Sequence, residues 1–478
     1  MILDILNSID SILYYPILII VLAAAGIYFS IRTKFVQIRL FKEAVRTLIE
    51  KPEEKEGVSS LQALLLSTAS RVGTGNIIGV STAICLGGPG AAFWMWVLAI
   101  LGASSAFVES TLAQVYKRRD HKTGLCYGGP AYYIETALHS HKLALLFAVF
   151  LILTYAFGFN LLCSYNLQST FETYSFYNPS TTPYIIGIIL ALLVGWCLFG
   201  GGKRIVKITA ILVPVMGIFY VALAVIMLVL HIGAIPSVIS TILEDAFNFQ
   251  AIGGGFAGSC LVYGIKRGLY SNEAGVGSAP NAAASAHVSH PVKQGLAQML
   301  SVYIDTIVLC TATALMCLAS GVTGDATNAG AKYVQDSIAS TFGMAGPIFI
   351  TVAMALFAFT TLLGNLYYTR NAIAFLNKKK FPGKPAMAAF HIFCILVIFF
   401  GAIMPMDACW ALADITMGAM TLINLPACTI LGSVAYKALH DYEYQRAQGR
   451  NPAFIARHIK LDPTELDYWK HKEKDESL

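Results

Sequence analysis

"SRVGTGNIIGV", residues 70–80, lies inside an apolar run from Leu61 to Cys85 that is long enough to cross a bilayer. Three glycines, a threonine, an asparagine and an arginine near the middle of such a run need a physical reason. Gly73, Gly75 and Gly79 give GxGxxxG, one residue off the dinucleotide-binding pattern, with no soluble-type strand before it and no acidic residue about twenty positions on. A phosphate-binding loop is therefore set aside. Two readings survive: a close-packing face of a membrane helix, or a place where a spanning helix opens.

Composition decides the solvent. Of 478 residues, 56% are hydrophobic and only 13% charged, against roughly a quarter charged in soluble domains, and the mean hydropathy is +0.64. This is the composition of an integral membrane protein. The net charge of +6 bears on orientation and gives no support to nucleic-acid binding. No short charged-then-apolar leader with a cleavage site opens the chain, so the first run, Ile12 to Ser30, is expected as a retained helix. The ten cysteines are scattered without a CxxC pair and read as small hydrophobes. His139/His141 and His287/His290 lack further ligands nearby, so no metal centre or other cofactor is expected.

Apolar runs near 12–30, 61–84, 92–115, 143–166, 184–200, 208–231, 251–270, 295–320, 346–369, 386–404 and 408–436 predict about eleven spanning helices. Basic residues fall in alternate connections: Arg32 to Arg46, Lys117 to Lys122, Lys203 to Lys207, Lys266 and Arg267, and Lys378 to Lys384. The positive-inside rule places these in the cytoplasm, the N-terminus outside and the tail 437–478 inside. The tail is too short and polar to build a core alone. "GGPAYYIETALHS" and "GSAPNAAASAHVSHP" are expected as short helices along the cytoplasmic interface, and the outer loop "GDATNAGAKYVQDSIASTFG" as helical.

The second and seventh runs both carry glycine clusters, the latter at "IGGGFAGS", residues 252–259. They are five spans apart and, by the charge alternation, opposite in direction. That pattern predicts an extra helix with its linker over 1–57, a first five-helix repeat over 58–231 and an inverted repeat over 232–436, each beginning in a broken helix. At bilayer depth, backbone groups leave a helix only where they line a protein cavity. There, freed amides suit a carboxylate and freed carbonyls suit a cation. Gly73, Thr74, Gly75 and Asn76 are candidates on one wall, with Gly254, Gly255, Phe256 and Ser259 on the opposing one. Thr360 and Thr361, adjacent hydroxyls in the ninth run, are candidate Na+ ligands. Ionisable residues at depth are costly and therefore suspect: Arg71, Glu109, Glu273, Asp305 and Asp414. A structural pairing of Arg71 with one of the carboxylates is the leading expectation for that arginine.

"SRVGTGNIIGVSTAICLGGPGAAFWMWVLAILGASSAFVESTLAQVYK", "YGGPAYYIE", "GIKRGLYSNEAGVGSAPNAAA" and "VYIDTIVLCTATAL" resemble the alanine or glycine:cation symporter family, over about Ile12 to Tyr436. The resemblance implies an all-α polytopic membrane protein of eleven helices, with the five-plus-five inverted repeat of the leucine-transporter type, in a prokaryotic cell membrane. It also implies Na+-coupled amino-acid transport. Val72-Gly73-Thr74-Gly75-Asn76 is similar to the unwound first core helix of neurotransmitter:sodium symporters. By that similarity Thr74 and Gly75 present amides to the substrate carboxylate, the carbonyls of Ala69 and Val72 join Thr360 and Thr361 around Na+, and Phe256 is an aromatic lid. Three departures bear on substrate choice: Cys163 where the family usually has glutamine, Asn365 and Leu366 where it commonly has tryptophan, and Met417 where asparagine is usual.

The expected function is symport of a small neutral amino acid with Na+ by alternating access, with lipid as the surroundings and no obligatory protein partner. A proton-coupled carrier, with Asp305 or Glu273 as proton site, or a carrier of another neutral amino acid such as glutamine, is the nearby alternative. An intramembrane enzyme would need a nucleophile with its base or converging metal ligands, and neither HExxH nor GxSxG occurs. A channel would need rings of like residues that a two-repeat chain does not require.

Overall fold

Two helices that open in mid-course, lying side by side, organise the molecule. The computed structural model describes residues 2–50, 57–120, 124–248 and 259–470. Among these, eight helices are long and apolar enough to cross a membrane: Leu3–Arg32, Ala91–Val115, His141–Ser169, Gly201–Leu230, Pro291–Ala319, Ala345–Leu376, Lys384–Gly401 and Met406–Ala447. We call them spans 1, 3, 4, 6, 8, 9, 10 and 11. The shorter Thr182–Leu198 is span 5. Span 2 consists of Ser60–Arg71 and Gly75–Gly87, and span 7 of Cys260–Asn272 and Ala279–Ala283. The fold is all-α and polytopic, as the apolar runs predict.

Spans 2 and 7 run antiparallel. The start of span 2 meets the end of span 7 at a bridge between Val58 and Ala286; further along, Gly75 packs on Tyr270 and Gly87 on Tyr263. Spans 6 and 10 turn large apolar side chains outward, among them Ile218, Phe219, Leu396 and Phe400. Such faces are stable only against lipid.

The seventh run needs correction. The segment 249–258 lies outside the described residues, and with it Gly254, Gly255 and Phe256. Among the described residues span 7 opens at 273–278, beyond the predicted end of the run. There Glu273 has φ +53° and Gly275 and Gly277 have φ +88° and +91°, left-handed values that glycine adopts at little cost. Consequently Lys266 and Arg267 are not in a loop at all: they lie within the helix Cys260–Asn272 and pair with Asp10 of span 1 and Asp414 of span 11. This places them toward the end of the molecule where span 1 begins, opposite the basic end that carries Lys117, Arg370 and the C-terminal tail. The predicted surface helix in "GSAPNAAASAHVSHP" is in fact the second half of span 7.

The tail does not stand free of the membrane helices. Phe454 N–H donates to Ser289 O, Trp469 Nε1 donates to Gln114 O at 3.0 Å, and Lys117 Nζ lies 4.0 Å over the Tyr468 ring. A few aromatics anchor a polar segment that could not fold alone.

Candidate functional site

Span 2 begins with a capping box, in which Ser59 Oγ accepts from Gln62 N–H and Gln62 Oε1 accepts from Ser59 N–H. It stops at Val72, whose ψ of 90° is extended. Asn76 then reaches back: its Oδ1 accepts from Gly73 N–H at 2.8 Å, taking the donor that would have closed the next helical turn on Ala69 O. Asn76 N–H donates to Gly73 O at 3.2 Å, so Val72 O also lacks its helical donor. The opening thus turns the carbonyls of Ala69 and Val72 loose at bilayer depth.

The other wall is span 9. A Cβ added to Gly73 would lie 2.0 Å from Thr361 Oγ1, so the absence of a side chain lets this hydroxyl abut the break. Thr361 Oγ1 is buried without a hydrogen-bond partner, as is Thr68 Oγ1 one turn before the break. Thr360 differs: its hydroxyl bonds back to Leu356 O and Phe357 O and also faces Met216 Sδ. Freed carbonyls and orphan hydroxyls are hard oxygen donors, the set that suits an alkali cation.

Tyr270, which the sequence reasoning passed over, faces the same break. Its hydroxyl lies 3.3 Å from Thr74 Oγ1, and its ring packs between Phe159 and Trp410, with centroids 4.8 and 4.9 Å away. Asn166 Nδ2 also donates to Thr74 Oγ1 at 3.0 Å, leaving its own buried Oδ1 unpartnered. Cys163 lies beside Thr74 and touches Ala358 O at 3.4 Å. Thr74, Gly75, Cys163, Asn166 and Tyr270 therefore form one small buried cluster.

Other sequence candidates are placed elsewhere. Asn76 spends its side chain on the scaffold, its Nδ2 reaching Asp305 Oδ1 at 2.7 Å and Ser271 Oγ at 3.0 Å. Asn365 accepts from Ser70 Oγ at 2.6 Å and donates to Asn160 Oδ1 at 3.0 Å, which ties spans 2, 4 and 9 together. Ser259 caps the helix Cys260–Asn272, accepting from Val262 N–H.

The buried charges connect the two breaks. Ser70, last but one in the first half of span 2, donates to Glu273 Oε1 at 3.1 Å, and Ser278 donates to Glu273 Oε2. Glu109 accepts from Gly275 N–H and from Asn424 Nδ2. Asp305 receives Asn76, Ser271 and Thr306, the convergence of donors that an acceptor-only carboxylate needs. The expectation that Arg71 pairs with one carboxylate is corrected: it is the cationic neighbour of Glu109, Glu273 and Asp305 alike. Its own bonds go to Ser301 Oγ and Gln298 O of span 8.

Cavities lie toward both ends of the molecule, and one of them borders this cluster through Asn166. One of about 420 Å³, lined by Ile78, Asn166, Gly330 and Gln335, approaches from the end where span 1 begins. Another of about 620 Å³, lined by Gln62, Lys203, Tyr367 and Arg370, opens at the basic end. Thr74, Cys163 and Tyr270 line neither cavity and are buried.

With this geometry in place, comparison with known proteins is informative. A model of the "Sodium:alanine symporter family" matches residues 1–456. The amino-acid carrier protein AlsT of Bacillus subtilis is 42% identical over 456 residues, covering 95% of each chain. The probable sodium/glutamine symporter GlnT of the same organism is 42% identical over 93% of this chain and 91% of its own. The sodium/alanine symporter AgcS of Methanococcus maripaludis is 35% identical over 94% and 99%. Among solved structures, MhsT in complex with L-phenylalanine superposes with a TM-score of 0.55 at 14% identity, over 87% of this chain and 97% of that one. That likeness concerns the fold, which is of the leucine-transporter type.

Proposed function

From the premise that this chain belongs to the sodium:alanine symporter family, and is a membrane carrier of amino acids rather than an enzyme, we propose that it imports a small neutral amino acid together with Na+ by alternating access. The observation that carries the reading is the opening of span 2 against Thr361. The carbonyls of Ala69 and Val72 with the Thr361 hydroxyl supply oxygens for Na+, while the Thr360 hydroxyl is spent on Leu356 O and Phe357 O. The amides of Thr74 and Gly75 suit the α-carboxylate, with Cys163, Asn166 and Tyr270 around the remainder of the substrate. The N-terminal end faces outward and the basic end, with the tail, faces the cytoplasm of a prokaryotic cell.

The energetics suffice with one ion. Na+ entering down a tenfold gradient and about 100 mV releases roughly 1.4 plus 2.3 kcal/mol, enough for accumulation of a net-neutral substrate by several hundredfold. A second reading, coupling to H+, is favoured by one observation: Glu109, Glu273 and Asp305 share a single buried arginine, and a surplus of buried carboxylate is relieved by protonation.

The deciding experiment is uptake of labelled alanine, glycine, glutamine and serine into proteoliposomes, with Na+, Li+ and H+ gradients imposed one at a time. Accumulation is expected under the Na+ gradient. Accumulation undiminished without Na+ overturns the ion assignment, and driving by H+ alone selects the second reading.

A further inference from the structure

We propose that the cavity between the C-terminal end of span 11 and the returning tail binds the phosphate headgroup of an anionic phospholipid from the membrane leaflet at the basic end. This cavity holds about 660 Å³ and carries Lys437, His440 and Tyr444 from span 11 and Arg450, His458 and Lys460 from the tail.

Two features build it. Span 11 is 42 residues long, about 60 Å at the helical rise and so about twice the hydrocarbon thickness of a bilayer; its C-terminal part projects beyond the membrane. The chain then turns back, with Gln445 Nε2 donating to Ala453 O and Gln445 Oε1 accepting from Ala453 N–H. Phe454 and Trp469, both buried and packed ring on ring, hold this return against the membrane helices. The basic groups of the tail are thereby fixed opposite those of the helix.

Charge in the cavity is unbalanced. Asp441 is the one acid in the lining, and both of its oxygens are engaged: Oδ2 by His290 Nε2 at 3.3 Å and Gln445 Nε2 at 2.8 Å, Oδ1 by His458 Nδ1 at 3.3 Å. Glu443, on another face of the helix, pairs with Arg39. Among the described residues Lys437, Arg450 and Lys460 are left without a carboxylate partner. Three like charges round one cavity repel one another unless an anion sits among them.

The face of span 11 selects the source of that anion. Exposed residues recur at Pro426, Ile430, Ser433, Lys437, His440 and Tyr444, at spacings of three and four that form one stripe along the helix. Ile430 is 68% exposed and Tyr444 60%. The stripe is apolar or small at bilayer depth and turns basic where the helix leaves the membrane. The surface that faces acyl chains therefore runs without a step into the cavity, where Ile455 and Ile459 add an apolar floor and Tyr444 brings an aromatic ring with a polar tip, suited to headgroup level. A soluble anion would use the cations alone, whereas a phospholipid uses the cations, the floor and the stripe together. Basic clusters just cytoplasmic of a spanning helix attract anionic lipid for this reason.

The site does not depend on which ion or amino acid is carried. Native mass spectrometry of the full-length chain in detergent tests it, with dioleoyl phosphatidylglycerol and dioleoyl phosphatidylcholine titrated separately. The parent is expected to retain one phosphatidylglycerol and to hold phosphatidylcholine far more weakly. Combining Lys437→Gln, Arg450→Gln and Lys460→Gln lowers the affinity for phosphatidylglycerol roughly a hundredfold, at a factor of about five for each basic group near the surface. All three side chains are exposed, so the variant is expected to keep the parent's thermal denaturation midpoint. Each single substitution lowers the affinity about fivefold, which keeps the test readable if the combined variant fails to fold. Lys34→Gln with Lys142→Gln and Lys384→Gln removes the same charge elsewhere at the basic end and leaves the affinity as in the parent. Equal affinity for the two lipids, or equal affinity for phosphatidylglycerol in the two combined variants, overturns the site. Displacement of the retained lipid by millimolar inorganic phosphate overturns the lipid assignment in favour of a soluble anion.

Discussion

Replacing Gly73 by alanine tests the proposed ion position. The new Cβ would lie 2.0 Å from Thr361 Oγ1 and 3.1 Å from Thr361 Cβ, so spans 2 and 9 must part or Thr361 must rotate away. Overpacking of this kind costs about 1–3 kcal/mol. If that strain falls on the ion-bound arrangement, the half-saturating Na+ concentration rises about 5- to 100-fold, at 1.4 kcal/mol per factor of ten. Thr361→Ala removes the close oxygen and with it a proposed ligand, so it weakens Na+ dependence by itself.

The double variant carries the decisive comparison. Once Thr361 has lost its hydroxyl, the nearest atom to the new methyl group is its Cβ, and a few tenths of an ångström relieve the contact. Gly73→Ala with Thr361→Ala is therefore expected to behave like Thr361→Ala alone, a strongly non-additive pair. The assay is the initial rate of uptake of the best-transported amino acid into proteoliposomes as external Na+ is varied at constant ionic strength. Unchanged half-saturating Na+ in both single variants, or additive shifts in the double variant, would refute the placement of Na+ between these two spans.

Three further substitutions test neighbouring parts of the site. Tyr270→Phe deletes the hydroxyl facing Thr74 at 3.3 Å while keeping the ring stack; one neutral hydrogen bond is about 0.5–1.5 kcal/mol, so KM rises a fewfold with kcat little changed, and an unaltered KM removes that hydroxyl from substrate positioning. Cys163→Gln puts a longer amide beside Thr74 and is expected to shift the preference among alanine, serine and glutamine in competition uptake; an unchanged ranking removes Cys163 from the pocket. Ser59→Ala breaks the capping box that starts span 2 at the basic mouth, at about 0.5–2 kcal/mol, and lowers the thermal denaturation midpoint in detergent, with Ser59→Asp restoring it. An unchanged midpoint in Ser59→Ala counts against the cap.

How much of this was legible in the sequence follows from what each feature depends on. Span positions came from apolar length alone, which the bilayer enforces, and the first break came from polar residues at depth. Glycine density pointed to "IGGGFAGS", of which 252–258 lie outside the described residues, and so passed over the opening at 273–278, near which the sequence carries a positional echo. Residues 71–80, RVGTGNIIGV, and 267–276, RGLYSNEAGV, share arginine, asparagine, glycine and valine at the same four offsets, 196 positions apart. Comparing these two strings aligns the two halves and picks out Tyr270 as the counterpart of Thr74, although the first opens at its second and third positions and the second only from its seventh. Lys266 and Arg267 misled for a related reason: the positive-inside rule treats basic residues as loop markers, whereas these two are neutralised within helices by carboxylates from spans 1 and 11. The partners of Arg71 and the burial of Trp469 depend on packing between distant segments, and no local pattern encodes them.

The echo also takes in the arginine of the first string. Thr74 and Tyr270 occupy the same offset in the two strings and touch each other, as residues on a two-fold axis between antiparallel helices must. Arg71 and Arg267 share an offset too, so the same antiparallel geometry directs them toward opposite ends of the molecule. Arg71 faces span 8 and the carboxylates that hold the breaks in place; Arg267 faces Asp414 of span 11 and the ring of Trp410. The two arginines differ in local setting: Arg71 is the last helical residue before the opening of span 2, whereas Arg267 lies six positions before Glu273, inside the helix Cys260–Asn272. Each is buried and keeps a partner from a distant span, and removing such a partner costs far more than losing a surface ion pair.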